Sequence, residues 1–212
     1  MSDFILGPFW NFAVIVFTAG VVGRIAMILM CGLSKDLAAA RGSSVKGAAG
    51  TIARRFFPRK ETIRSNRFHI IAGYMFHIGL LALLFFAAPH VQFLKNHLLG
   101  FGWPAMPHWA FILSAEIAFA GLILLWLRRV MHPVTRLLTR LDDHLAAWLT
   151  FFAMVTGCLA LFESFAGLRV LHVLGVELLM IYFPFSNLMH AFTFFLSRGA
   201  SGARAGRHGV KA

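Results

Sequence analysis

Five stretches of the chain read as near-continuous apolar runs, at residues 9–30, 69–90, 109–127, 144–162 and 170–196. At about 1.5 Å per helical residue, each crosses or nearly crosses a hydrocarbon layer about 30 Å thick. None shows the alternation of a membrane strand, and in lipid the backbone must satisfy itself. The predicted class is therefore an all-α membrane protein with five transmembrane helices in one domain, residues 1–197. Residues 198–212, rich in glycine and arginine, read as a basic flexible cytoplasmic tail. The first run lacks the basic start and small-residue cleavage site of a signal peptide, so it reads as a retained span.

The last run, RVLHVLGVELLMIYFPFSNLMHAFTFFL, carries His172, Glu177 and His190, which hydrocarbon penalises. The histidines lie 18 positions apart. On one helix that is five turns, so they share a face at depths separated by about 27 Å. A single histidine in such a helix is most often a hydrogen-bonded packing residue. Two in register ask for a partner helix with histidines of its own, and the 69–90 run supplies His69, His77 and His90. The second and fifth helices run antiparallel, so depth matches His77 with His190 on the inner side and His90 with His172 on the outer. The match has a geometric objection. His77 and His90 are 13 apart and turn about 220° from each other on an ideal helix, which keeps His69 as a competing inner partner unless a break at Pro89 re-aims His90.

Composition agrees with lipid as solvent: 59% of the residues are hydrophobic, 13% charged, and mean hydropathy is +0.75. The net charge of +12 is not spread as nucleic-acid binding would need. Nine lysines and arginines lie between Leu33 and Arg67, four between Arg128 and Arg140, and four after Leu196. This alternation predicts the N-terminus in the periplasm and the C-terminus in the cytoplasm. Within 32–67 the run ARRFFPRK suits either an interfacial stretch on anionic headgroups or a dock for a cytosolic partner. Asp142 and Asp143 precede the fourth helix, where its dipole favours acids. Cys31 and Cys158 lie in apolar segments and read as packing residues.

Two opposed imidazoles per level are too few for zinc or copper and suit a b-type haem, whose porphyrin supplies the remaining nitrogens. Arg24 near the inner end and Arg169 near the outer end either snorkel to the headgroups or face haem propionates.

These features carry a resemblance. FHIG around His77, APH at His90, GFGWPAMP, RRVMHP with Asp143 downstream, GC at Gly157 and above all LHVLGVELLMIYFPFSNLMH resemble the gamma subunit of respiratory nitrate reductase. The likeness is closer to the related cytochrome b subunits of membrane redox complexes in sulfate reducers and sulfur oxidisers. It covers all five helices. It implies a multi-pass subunit of the bacterial inner membrane holding two haems b stacked across the bilayer, with His172, His190, His77 and His90 as iron ligands. SNRFHI around His69 echoes the same family and keeps His69 as the alternative inner ligand.

The resemblance further implies electron exchange between a quinone or menaquinone pool, near the outer haem, and a cytoplasmic iron–sulfur subunit that accompanies a catalytic subunit. Quinol would bind against the 103–109 region, including Trp103, with His108, Glu116 and Glu177 as proton acceptors; the plainer reading has both glutamates fixing packing. Two departures stand out: the family's lysine is absent near 103–108, and the external loop before the last helix is reduced to ESFAGL, so nitrate reduction is not implied. Direction of flow is not written in the sequence. The rival classes are a haem-free helical anchor or transporter with proton-binding histidines, and a b-type cytochrome acting alone with a diffusible acceptor.

Overall fold

The structure, a computed structural model, describes residues 2–32, 36–58, 60–161 and 166–210. Among them it is helical without β-strands. Its helices are α1 (Ser2–Cys31), α2 (Ser44–Arg54), α3 (Lys60–Phe86), α4 (Ala88–Leu94), α5 (His108–Met131), α6 (Pro133–Leu138), α7 (Leu141–Ala160), α8 (Ala166–Tyr182) and α9 (His190–Arg207). Five segments are long and apolar enough to cross a membrane: α1, α3, α5, α7 and Gly167–Phe185. Their outward faces carry apolar side chains such as Ile15, Val22, Ile71, Ile78 and Leu113, as a lipid-facing surface does. The end of the expected 144–162 helix and the start of ESFAGL fall at 162–165, outside the described residues. The chain divides into two compact units, Thr62–His172 and Met1–Glu61 with Val173–Ala212.

In the first of these, α3 and α5 meet along small residues. A Cβ at Gly79 would lie 2.7 Å from Ser114 O, and one at Gly121 would lie 2.8 Å from Ala72 O. Such backbone proximity is how membrane helices gain packing where lipid is as apolar as leucine. The core alongside is Leu83, Ala115, Ala118, Leu122 and Met154, flanked by Phe76, Phe119 and Cys158. Buried hydroxyls turn back on their own helix, Thr150 donating to Ala146 O at 2.8 Å and Thr156 to Phe152 O at 2.8 Å. At the start of α7 the Asp143 carboxylate accepts from Arg140 N–H at 2.9 Å and pairs with Arg129 at 3.1 Å.

A break at Pro89, the condition on which a re-aimed His90 depended, is present. Ala87 is extended (φ −65°, ψ 135°) and α4 starts anew with Pro89 in its first turn. The carbonyls at the end of α3 are then satisfied from the following loop. Phe85 O, whose helical donor would be the N–H that Pro89 lacks, accepts the Trp103 indole N–H at 2.8 Å, and Phe86 O accepts Met106 N–H at 2.9 Å.

The second unit corrects two expectations. Residues 170–196 are not one helix: α8 ends at Tyr182, and two 3-10 turns, Phe183–Phe185 and Asn187–Met189, flank an extended Ser186 before α9 begins at His190. Pro184 withholds a backbone donor, and the Ser186 hydroxyl fixes the corner by donating to Phe183 O at 2.9 Å and accepting from Leu188 N–H at 3.1 Å. His172 and His190 therefore do not share one helical face. α1 fits into this corner at Gly20, where a Cβ would lie 2.5 Å from Pro184 Cβ, and Phe17 meets Phe183 and Phe192 edge-on.

Residues 198–207, expected as flexible tail, instead continue α9 and pack against α2. Gly42 and Gly47 of one segment face Gly206 and Gly202 of the other, so closely that a Cβ at Gly42 would lie 2.5 Å from Gly206 O. The end of α9 is tied to the preceding segment: Arg207 O accepts N–H of Arg41 at 2.7 Å and of Gly42 at 3.2 Å, and the Arg207 guanidinium donates to Ala38 O at 2.8 Å. Asp36 sits beside it, with Oδ2 2.8 Å from His208 Nε2 and 3.7 Å from Arg207 Nε. The Ala38 N–H, then His208 and Arg207, hold the Asp36 carboxyl below its ordinary value.

Candidate functional site

His90, on the short α4 that the break turns away from α3, faces His172 on α8, both within the unit Thr62–His172. Their ring centroids are 6.2 Å apart and the planes differ by 25°. The pair is near-parallel, at a spacing within the range of offset-stacked rings. Two imidazoles bound to opposite sides of one metal ion, each through a bond about 2 Å long, would hold their centres roughly 6 Å apart.

The hydrogen bonds assign the tautomers. His90 Nδ1 lies 2.9 Å from Leu83 O, and a carbonyl only accepts, so the proton is on Nδ1 and the Nε2 lone pair is available. His172 Nδ1 lies 3.3 Å from Thr156 Oγ1. The Thr156 proton is directed to Phe152 O and Ala153 O, so its oxygen accepts from His172 Nδ1, and the ring is held further by a bond to the Ala153 backbone. Gly157 makes room for the ring: a Cβ there would lie 2.9 Å from His172 Cε1.

His77 and His190 belong to different units, and each is described within its own. His77, exposed on α3, donates from Nδ1 to Gly73 O at 2.7 Å, and His190, exposed at the start of α9, to Asn187 O at 2.7 Å. In both, the bond to a carbonyl places the ring proton on Nδ1. His97 makes the same type of bond to Phe93 O at 3.2 Å, so the bond alone does not mark a ligand; the facing of His90 and His172 is the distinguishing feature. His69 is exposed near the start of α3, three residues after a kink at Asn66.

Among the remaining candidates, Trp103 is committed through its indole to Phe85 O and holds the loop rather than presenting a free donor. His108 is exposed at the start of α5, and Glu116 is exposed further along the same helix. Glu177 is fully buried on α8, with no hydrogen-bond partner for either oxygen among the described residues. Arg24 and Arg169 are both exposed, on α1 and α8. Among the described residues, no group of three or more His, Cys, Asp or Glu gathers as a metal site. Two features were missed by sequence reasoning. One is the Thr156 acceptor behind His172, for which a hydroxyl one position before Gly157 was the available signal. The other is the bond from Trp126 Nε1 to His144 Nδ1 at 3.2 Å, which puts the proton of His144 on Nε2, the tautomer opposite to that of His90 and His172.

No family model matches the chain. It is similar to a protein of Nitratidesulfovibrio vulgaris strain Hildenborough, 29% identical over 210 residues that cover 95% of this chain and 92% of that one; the designation of that relative, "Protein", states no activity.

Proposed function

We propose that this chain is a membrane-embedded di-haem b subunit that exchanges electrons between the quinone pool on the outer side and a cytoplasmic iron–sulfur subunit serving a catalytic subunit. The observation that carries the reading is the pair His90 and His172, their rings near-parallel with centroids 6.2 Å apart, the roughly 6 Å spacing of two imidazoles on one metal ion, and Nδ1 anchored on each ring. That donor set fits a bis-histidine haem and is too small for a structural zinc site. When bound, two b haems would supply one-electron couples at two depths of the bilayer. His90 and His172 would hold the outer one, and His190 with His77, or with His69, the inner one.

The chain's own residues do the rest. Leu83 O and Thr156 keep the outer imidazoles in the ligating tautomer and fix their planes. Arg24 and Arg169 balance anionic propionates. Quinol binds against the 103–109 loop, which Trp103 holds in place, and its two protons leave through His108 and Glu116; Glu177, buried without a partner, is the third acceptor. The basic segments lie in the cytoplasm, the N-terminus in the periplasm, and the membrane is the bacterial inner membrane.

The test is a reduced-minus-oxidised spectrum and a haem count on the purified protein. Two b-type haems per chain are expected in the wild type and one in His172→Ala. A protein with no haem band returns the chain to the anchor or transporter class.

A further inference from the structure

The turn that ends α2 is held at the level where α9 stops being apolar. Phe56 packs its ring against Phe194 at 6.0 Å and Phe195 at 6.4 Å, the last aromatic residues before Ser197. The Arg198 guanidinium lies over both Phe56 and Phe194, 5.2 and 5.0 Å from their centroids. From this point α2 and α9 run antiparallel, Ile52 near Gly199 and Gly47 near Gly202, so the start of α2 is the end farther from the boundary.

Phe56, though held against Phe194 and Phe195, remains 47% exposed, and the next residue is turned out further. Phe57 N–H bonds to Arg54 O at 3.1 Å, closing the turn, and Phe57 is 80% exposed. Arg54, Arg55 and Lys60 around it are exposed as well. An apolar ring ringed by cations is poorly suited to water, and also to a purely apolar environment. It matches the layer where acyl chains meet phosphate headgroups.

We propose that Arg54–Phe57, with Lys60, forms a lipid-binding wedge, Phe57 entering the acyl boundary while Arg54, Arg55 and Lys60 hold the phosphodiester headgroups of anionic lipid. Charge complementarity and the position beside Phe194 and Phe195 select lipid over a soluble partner for this surface. The site is independent of what the histidines hold.

The full chain carrying Phe57→Trp, reconstituted in vesicles, tests it. The added emission relative to wild type should be quenched more strongly by brominated phosphatidylglycerol than by brominated phosphatidylcholine. At roughly fivefold per cation near the surface, Arg54→Gln with Arg55→Gln should lower that preference by roughly tenfold or more, while Lys46→Gln, toward the far end of α2, leaves it unchanged. Native mass spectrometry of the chain without the tryptophan gives a second reading: retained phosphatidylglycerol should be lost in the double arginine variant. Emission quenched by neither lipid, as beneath a protein partner, overturns the proposal. So does equal quenching by both, or a Lys46→Gln effect as large as that of the arginines.

Discussion

The indole N–H of Trp103 meets the carbonyl oxygen of Phe85 at 2.8 Å, taking the place of the backbone donor that Pro89 does not have. A loop side chain thus completes the broken end of α3 and holds the corner from which His90 is aimed. Trp103→Phe leaves that carbonyl without its donor, at a cost of about 1 to 3 kcal/mol. Thermal unfolding of the purified protein should move down by several degrees, and, on the proposed function, the haem held by His90 and His172 should be lost from the variant first. An unchanged melting temperature would show that the loop does not cap the helix.

Thr156 supports His172 through a hydrogen bond at Nδ1, beside the bond that His172 makes to the Ala153 backbone. Thr156→Val keeps the volume and removes the acceptor for Nδ1. Loss of such a supporting bond typically weakens ligation about 10- to 100-fold. Haem titration into the apo-protein should show that loss at one of two sites for Thr156→Val and near-normal binding for Thr156→Ser.

Gly157 and Gly23 separate crowding from helix propensity. Gly157→Ala puts a methyl 2.9 Å from His172 Cε1 and should displace the ring; on the proposed function, the band of the haem held by His172 should shift or disappear. Gly23→Ala meets nothing within 4 Å and should stabilise α1 by about 0.5 to 1 kcal/mol, read as a small rise in melting temperature with an unchanged spectrum.

Asp36 makes the tie between residues 36–42 and the end of α9 sensitive to acid. Its folded pKa is below the ordinary 3.8, so its contribution is fully present above that value and is lost as pH falls through the lowered one. Hydrogen exchange at Arg41 and Gly42, whose amides bond to Arg207 O, should stay slow at neutral pH and quicken in that acid range. Asp36→Asn should already show the quicker exchange at neutral pH.

The five apolar segments and the break near Pro89 were legible in the sequence, because length, hydropathy and a proline speak locally. The second break was not. Pro184 sits in LMIYFPFSNLMH, where hydropathy stays high on both sides, and membrane helices often tolerate a proline; what ends the helix is the Ser186 hydroxyl bonding to Phe183 and Leu188. The ordered 198–207 segment was hidden for a related reason. Its glycines read as disorder by composition, whereas their spacing opposite Gly42 and Gly47 lets two backbones touch. At the candidate site the histidines stood out by residue type, but Thr156 and Leu83 became visible only once the chain was folded.

Arg207 and Asp36, joined at the end of α9, are 171 residues apart in sequence. The ribosome releases Asp36 long before Arg207 exists, so the glycine edge of α2 stays uncovered until α9 is made. Nascent chains arrested short of α9 should therefore expose α2 to protease, and synthesis of α9 would act as the latch on a unit whose two halves are born far apart in time.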